Sequence, residues 1–559
     1  MTDLEDFFPV WIDISDAIST ARSALPDEHF FVRLRCKDAE IGVAESSLVK
    51  QDAGAYLRNI ATAESLSSAP VIRIGDLNAM FPQSTLNEMA QNPEKGVLLM
   101  EGHTFGRSAF IYAELLLHGE VILSTELPLS ISFIENFYRR LNLRHITDPD
   151  SENDPSNLSN PVNFPDEESN LKNVVFIHGF NVSEQEARGW HAEMFKRLWQ
   201  TGCNSRFHAV TWRGDVGFPN GMFYHSDVNN AFLSASAFSS YVSGISGETT
   251  LMAHSLGNML ASSAIQDCSL SVKNYFMLNA AVPAEAYDEK QWNTNAVQNY
   301  MLHPDWDHYE PRTWCSVWFT KFQNPADDRS TLTWKGRFKD VFLRTSLYNY
   351  HSGTEISHGD EVLEISKKRP GLLDELHYSF PWTIEAGHFA WQKQELGKGR
   401  LSIDNWHLAG TTWAGWGIKK KKIWYELPSG NGGGYVFVDI PASEANAMTE
   451  AQLQSSPVFI RNPEKMFSSA ISYSNQCEIL AYAIPSLSAP AGTSQLNFSG
   501  FAKDNDNRNI DMNTLKINSS WPRNSSFFEK RWLHSDIKVI SLPHVFLLFN
   551  DFCTKGNIK

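Results

Sequence analysis

The sequence predicts an α/β domain with a mostly parallel central sheet flanked by helices, preceded by a smaller β-rich unit. Three observations carry that expectation. From residue 171 onward, β-branched and aromatic runs alternate with stretches of helical period, the sign of βαβ units and so of parallel strands. Before residue 148 the apolar runs are short, strand-like and separated by turn residues. Between the two lies Asp148 to Asn170, dense in Pro, Asn, Ser and acids, which is linker composition. A chain of 559 residues is too long for one ordinary core, so at least two units are expected. The division read from these features is 1–147, a linker over 148–170, and 171–559 with a long insertion at 366–525.

In the first unit Phe30 to Leu34, Val71 to Ile74 and Val97 to Met100 have strand character. Ala109 to Leu117 and Glu120 to Leu123 read as a hairpin across His118-Gly119, with glycine at the tight turn. Helix is expected around Leu48 to Ile60 and Phe133 to Leu143. The unit reads as a β-rich accessory domain, a small sandwich in outline, with a packing or docking role. After the linker, Val174 to Ile177 is a continuous apolar run suited to a buried strand. Ser183 to Trp199 follows with Ala187, Trp190, Met194 and Leu198 at helical spacing, behind a Ser183 cap with Glu186 three residues on. Phe207 to Trp212, Thr249 to Ala253 and Tyr275 to Leu278 read as strands, separated by helices over Val228 to Val242 and Leu256 to Gln266. Val341 to Tyr350 reads as a later strand. A final amphipathic helix runs through Val539, Leu542, Val545, Phe546 and Phe549, capped by Ser535 or Asp536, with Pro543 expected to kink or split it.

Apolar residues at 42% and charged residues at 20% are globular proportions. A net charge of -16 repels phosphate backbones and anionic lipid surfaces, which argues against nucleic acid as a partner. The one basic run, Lys419 to Lys422, reads as a solvated loop or strand edge. Cys36, Cys203, Cys268, Cys315, Cys477 and Cys553 have no paired spacing, so neither a disulfide framework nor a CxxC zinc site is expected and the thiols are expected to be reduced. Asp327-Asp328-Arg329 lacks partner ligands at suitable spacing and reads as a salt-linked loop, so no metal and no cofactor is expected. The acidic start, Met1 to Asp6, is unlike a signal peptide, and no apolar run approaches the roughly 18 residues of a membrane span. A cytoplasmic chain without a stable span is the expectation, export by a non-classical route remaining open. No feature of the sequence bears on oligomeric state.

The chemistry-bearing segment is Thr249-Thr250-Leu251-Met252-Ala253-His254-Ser255-Leu256-Gly257-Asn258, where a strand runs straight into a helix. A serine on such a sharp turn exposes Oγ above the sheet, and the small residues Ala253 and Gly257 let the turn close. Alanine stands where the commoner motif has glycine, and the steric demand is met by either. His178-Gly179-Phe180-Asn181 directly follows the buried strand Val174 to Ile177. Alone it reads equally as a strand-to-loop turn with a satisfied histidine; paired with the serine turn it reads as an oxyanion loop.

HGFN and AHSLGN together resemble the α/β-hydrolase superfamily on its lipase and esterase side. The segments NYHSG, GDEVL and WLHSD look like the acid and histidine regions of bacterial α/β-hydrolases that carry a VFxHGxN motif. The resemblance covers residues 173–365 and 530–550. It implies an α/β-hydrolase fold; the β-rich accessory domain in front lies outside the resemblance, and residues 366–525, rich in tryptophan, read as a cap-like insertion. It implies a serine hydrolase cleaving carboxylic esters, with Ser255 as nucleophile and the amides of Phe180 and Leu256 as oxyanion donors. The superfamily's chain order puts the acid next and the histidine last. Asp360 is the chosen acid, with Glu355, Glu361, Glu285 and Asp288 as rivals. His534 is the chosen base, with His388 as runner-up and His377, His407 and His544 also beyond the acid. The long interval between Asp360 and His534 departs from the usual pattern. The partner implied is a small-molecule or lipid ester. A catalytically silent fold used for binding, or a phospholipase delivered to other cells, are the alternatives.

Overall fold

The computed structural model describes residues 4–68, 71–74, 79–81, 83–104, 107–148, 155–215, 224–282, 286–287, 337–352, 496, 508–516, 532 and 535–559, with the backbone course alone for 400–408, 419–427 and 434–441. Among the described residues, those from Phe8 to Ile131 build two four-stranded antiparallel sheets. One has the order β1 (Phe8–Trp11), β6 (Val97–Gly102), β3 (Ile41–Glu45), β4 (Val71–Ile74). The other has β5 (Ala79–Met80), β2 (Phe30–Lys37), β7 (Arg107–Leu117), β8 (Glu120–Ile131). Phe30, Val32, Leu34 and Cys36 alternate inward along β2 and share one core with Val43, Leu98 and Met100 of the first sheet. The β7–β8 hairpin turns on His118 and Gly119, both at positive φ (51° and 86°), the primed geometry that matches strand twist.

Helices differ from expectation here. Over residues 48–60 the chain makes two single turns, Lys50–Asp52 and Ala55–Leu57, divided by Gly54. Among the helices α1 (Ser15–Ala24), α2 (Ile60–Ser67) and α3 (Gln83–Gln91), α2 starts only where the Asn59 side chain accepts from the Thr62 amide at 3.1 Å. The helix expected over Phe133 to Leu143 is instead a turn, Ile134–Phe137, followed by strand β9 (Arg139–Asn142). Its backbone is taken by pairing with a parallel neighbour on one side and by a bridge between Arg140 and Asn157 on the other.

β9 is the edge of a seven-stranded sheet, which follows as β11 (Arg206–Thr211), β10 (Asn173–Ile177), β12 (Thr249–His254), β13 (Asn274–Leu278), β14 (Ser346–His351) and β18 (Asn509–Asp511), every pairing parallel. Strands β10 to β13 are buried along their whole length, which is why they read as unbroken apolar runs. Alternate residues serve two faces. Val174 and Phe176 pack with α4 (Glu184–Gln200) and the C-terminal helix α9 (Leu542–Gly556); Val175 and Ile177 pack with α5 (Tyr224–Ser243) and α6 (Gly257–Asp267). α4 begins with the expected capping box of Ser183 and Glu186.

Further features are local. Val341–Arg344 is a helical turn, α7, and the strand begins only at Ser346, because Gln266 holds Asp340 through both side chain and amide and Val341 drops into the core beneath α6. The last helix is split, as expected, into α8 (Asp536–Val539) and α9, with Pro543 in the first turn of α9 where it needs no amide hydrogen. Lys419 to Lys422 opens the middle strand, β16 (Lys419–Leu427), between β15 (Arg400–Leu408) and β17 (Gly434–Pro441), not an edge. Residues 155–170, linker-like in composition, run along β9: Phe164 is buried edge-on against Trp199 and Arg139 pairs with Asp166 at 2.8 Å. Among the described residues no helix is long and apolar enough to cross a membrane.

Candidate active site

Parallel strands bring their carboxyl ends to one edge, where open α/β sheets bind ligands. At that edge His178 follows β10, Trp212 follows β11, Ser255 follows β12, Asn279 follows β13 and Ser352 follows β14. Ser255 is the turn between β12 and α6, with φ at +53°. A left-handed backbone costs a non-glycine residue roughly 1–2 kcal/mol, so its surroundings must impose it. The Ser255 amide donates to the Leu278 carbonyl at 2.9 Å, extending the β12–β13 ladder one residue past the strand. A Cβ at Gly257 would stand 2.4 Å from the His178 carbonyl oxygen, so α6 can leave the turn only over a glycine.

The loop after β10 is held against this turn. A Cβ at Gly179 would lie 2.6 Å from the Ser255 Cβ, a contact that only glycine permits. His178 is fully buried, and its tautomer follows from its neighbours. The Trp212 amide donates to Nε2 at 3.2 Å, leaving Nδ1 to donate to the Gly179 carbonyl at 2.9 Å. The Trp212 indole returns a hydrogen bond to the His178 carbonyl at 2.9 Å, and the two rings stack at 5.8 Å. Burial lowers the His178 pKa to about 4, so the ring is neutral and acts as a brace for the loop. Asn181, at φ +52°, closes the loop by donating its amide to Gly214 at 2.6 Å. Phe180 stands between these anchors, half-buried against the apolar cluster, and its amide follows directly on the glycine that touches Ser255. Leu256 opens α6, so its N–H belongs to the first turn, which has no acceptor within the helix.

Beside Ser255, the ring of His254 packs on Trp190 at 4.7 Å, and the Lys538 ammonium sits 4.6 Å from the centre of that indole. Trp532 is wholly buried and its indole donates to Asn279 Oδ1 at 3.1 Å. His351 ends β14 opposite Asp511 of β18, and burial, the larger effect, lowers its pKa while Asp511 raises it. Of the residues singled out in the sequence, the structure brings Ser255, Leu256 and Phe180 together. Asp360 and His534 lie outside the described residues, as do Glu355, Glu361, Glu285, Asp288, His377 and His388 and the side chain of His407. His544 lies in the first turn of α9, its Nδ1 3.0 Å from the Ser541 hydroxyl. Trp212, Asn258 and Trp532 were not foreseen. The last two had a signal, since Asn258 directly follows AHSLG and Trp532 stands two residues before His534.

Residues 174–364 match the Alpha/beta hydrolase family. No curated protein matches the chain. Among solved structures, a pyrethroid hydrolase crystallised with BIF is 19% identical over 22% of this chain and 45% of its own, with a TM-score of 0.16. A pyrethroid hydrolase from Sphingobium faniae is 16% identical over 33% of this chain and 79% of its own, at 0.19. A Bacillus licheniformis lipase in propeptide form is 17% identical over 34% and 38%, at 0.18. This chain thus spans under half of the first of these structures, and none of the three scores is high enough to bear on substrate. The matched residues hold β10 to β14 and the Ser255 turn, so residues 174–364 form an α/β-hydrolase domain, and the family match supports a hydrolase.

Proposed function

We propose that the chain is a serine hydrolase of carboxylic esters. The observation that carries this reading is Ser255, held at φ +53° between strand and helix with Gly179 of the neighbouring loop in contact with its Cβ. In the reaction proposed, Ser255 Oγ attacks the ester carbonyl while His534 takes its proton, and Asp360 orients the imidazole. The carbonyl oxygen gains charge and is held by the amides of Phe180 and Leu256. The alcohol leaves with the proton from His534, and water, activated by the same histidine, hydrolyses the acyl-enzyme.

Chain order and topology support the two residues outside the described set. Asp360 follows β14 within the matched family region, and His534 lies between β18 and α8. The chain on either side of His534 approaches the surroundings of Ser255: Trp532 bonds Asn279, which follows the neighbouring strand, and Lys538 covers Trp190, which packs on His254. The test is turnover of short- and long-chain p-nitrophenyl esters. Ser255→Ala, Asp360→Asn and His534→Ala are each expected to lower kcat by about 10⁴-fold or more. Glu355→Gln, Glu361→Gln and His388→Ala are expected to remain near wild type. A His534→Ala enzyme of full activity overturns that assignment; full activity in Ser255→Ala overturns the reading.

A further inference from the structure

Resting on that reading, we infer that Asn258 is the positioning residue of the Leu256 oxyanion donor. Its side chain is fully buried, three residues past the nucleophile, where a helix usually places an apolar or small residue. Nδ2 donates to the Ser255 carbonyl at 2.8 Å and to the Ala253 carbonyl at 2.9 Å, spanning the turn. The Ser255 oxygen also faces the Asn258 amide at 3.2 Å and the Ala281 amide at 3.2 Å. Three N–H donors therefore fix the direction of one carbonyl.

That carbonyl belongs to the peptide joining Ser255 to Leu256. In a trans peptide C=O and N–H point in opposite directions, so fixing one fixes the other. Holding the Ser255 oxygen back toward α6 aims the Leu256 N–H away from those donors and out of the turn. The amide orientation of Asn258 is itself decided by its surroundings. The Tyr275 hydroxyl donates to Oδ1 at 2.8 Å, and the reversed amide would set Oδ1 against two carbonyls. Since the single Tyr275 proton is used on Asn258, Ser262 donates to Tyr275 at 3.2 Å and Tyr287 donates to Ser262 at 2.6 Å. Burial raises the pKa of both tyrosines, so the chain of donors stays protonated throughout the working range of pH.

The experiment compares wild type, Asn258→Ala and Tyr275→Phe in three readouts: ester kinetics, fluorophosphonate labelling of Ser255, and inhibition by a trifluoromethyl ketone, whose tetrahedral adduct carries an oxyanion. Thermal unfolding shows which variants are folded. Asn258→Ala is expected to lose about 10- to 100-fold in kcat with KM within about twofold, since the donor is displaced rather than removed. The ketone is expected to lose affinity by a similar factor, and Tyr275→Phe to shift both readouts the same way by a smaller factor. A folded Asn258→Ala that keeps wild-type kcat and ketone affinity, whatever its thermal midpoint, overturns the inference and leaves the hydrolase reading standing. If Asn258→Ala does not fold, Tyr275→Phe decides by the same two readouts. A folded wild type that takes no fluorophosphonate overturns both.

Discussion

Ser255, Gly179 and Gly257 form one tight contact, and each has its residue type for a stated reason. Ser255 is strained, Gly179 meets its Cβ, and Gly257 lies under the His178 carbonyl. Gly179→Ala would force a Cβ to within 2.6 Å of Ser255, so the loop must retreat and carry the Phe180 amide with it. We expect kcat/KM to fall by about 100-fold, with a loss of roughly 1–3 kcal/mol in stability from the overpacking. Steady-state kinetics beside chemical denaturation separate the two effects. His178 makes a pH prediction. Its folded pKa of about 4 is below the unfolded value near 6.5, so the unfolded chain binds more protons in that window. Its contribution is full above pH 6.5 and is lost as pH falls toward 4, by up to about 3 kcal/mol. His208, lowered to about 3, acts in the same direction. Denaturation midpoints measured from pH 7 to pH 4.5 should fall, and the fall should be shallower in His178→Asn; an equal slope in both would refute the assignment.

At the scale of elements, the strands were legible wherever both faces are buried, because a parallel strand covered on both sides is an unbroken apolar run. β10, β12 and β13 start within two residues of their expected positions for that reason. The elbow was legible because strand, serine and helix are contiguous in sequence. β9 was not, since Arg139 and Arg140 belong to an edge and their partners, Asp166 and Asn157, come from the polar stretch that reads as linker. Val341 misled because a buried turn and a buried strand present the same side chains. The segment from Trp532 to α8 is anchored by the indole on Asn279 and by Arg197, which donates to the carbonyls of Ile537 and Lys538 at 2.8 Å each. Trp532→Phe removes the indole donor and keeps most of the apolar ring. We expect about 1 kcal/mol of lost stability and a fall of about tenfold in kcat, read by thermal unfolding and ester kinetics; unchanged kcat would separate Trp532 from the chemistry.

In the whole molecule, the first residues described are tied to the α/β domain. Glu5 is buried, accepts from the Leu542 amide at 3.0 Å and pairs with Arg197 at 3.5 Å, while Gln200 donates to the Glu5 carbonyl at 2.9 Å. The same Arg197 holds α8, so one guanidinium joins the start of the chain to the segment that follows His534. Most of this was illegible in sequence, because a buried Glu and Arg some 190 residues apart look like ordinary surface charges until the fold pairs them. The claim on which the rest depends is that Ser255 is a nucleophile. Treating the folded full-length protein with a fluorophosphonate and mapping the adduct by peptide mass tests it directly. One adduct on Ser255, absent from Ser255→Ala, is expected; a folded protein that takes no label, or takes it on another residue, would contradict a nucleophilic Ser255.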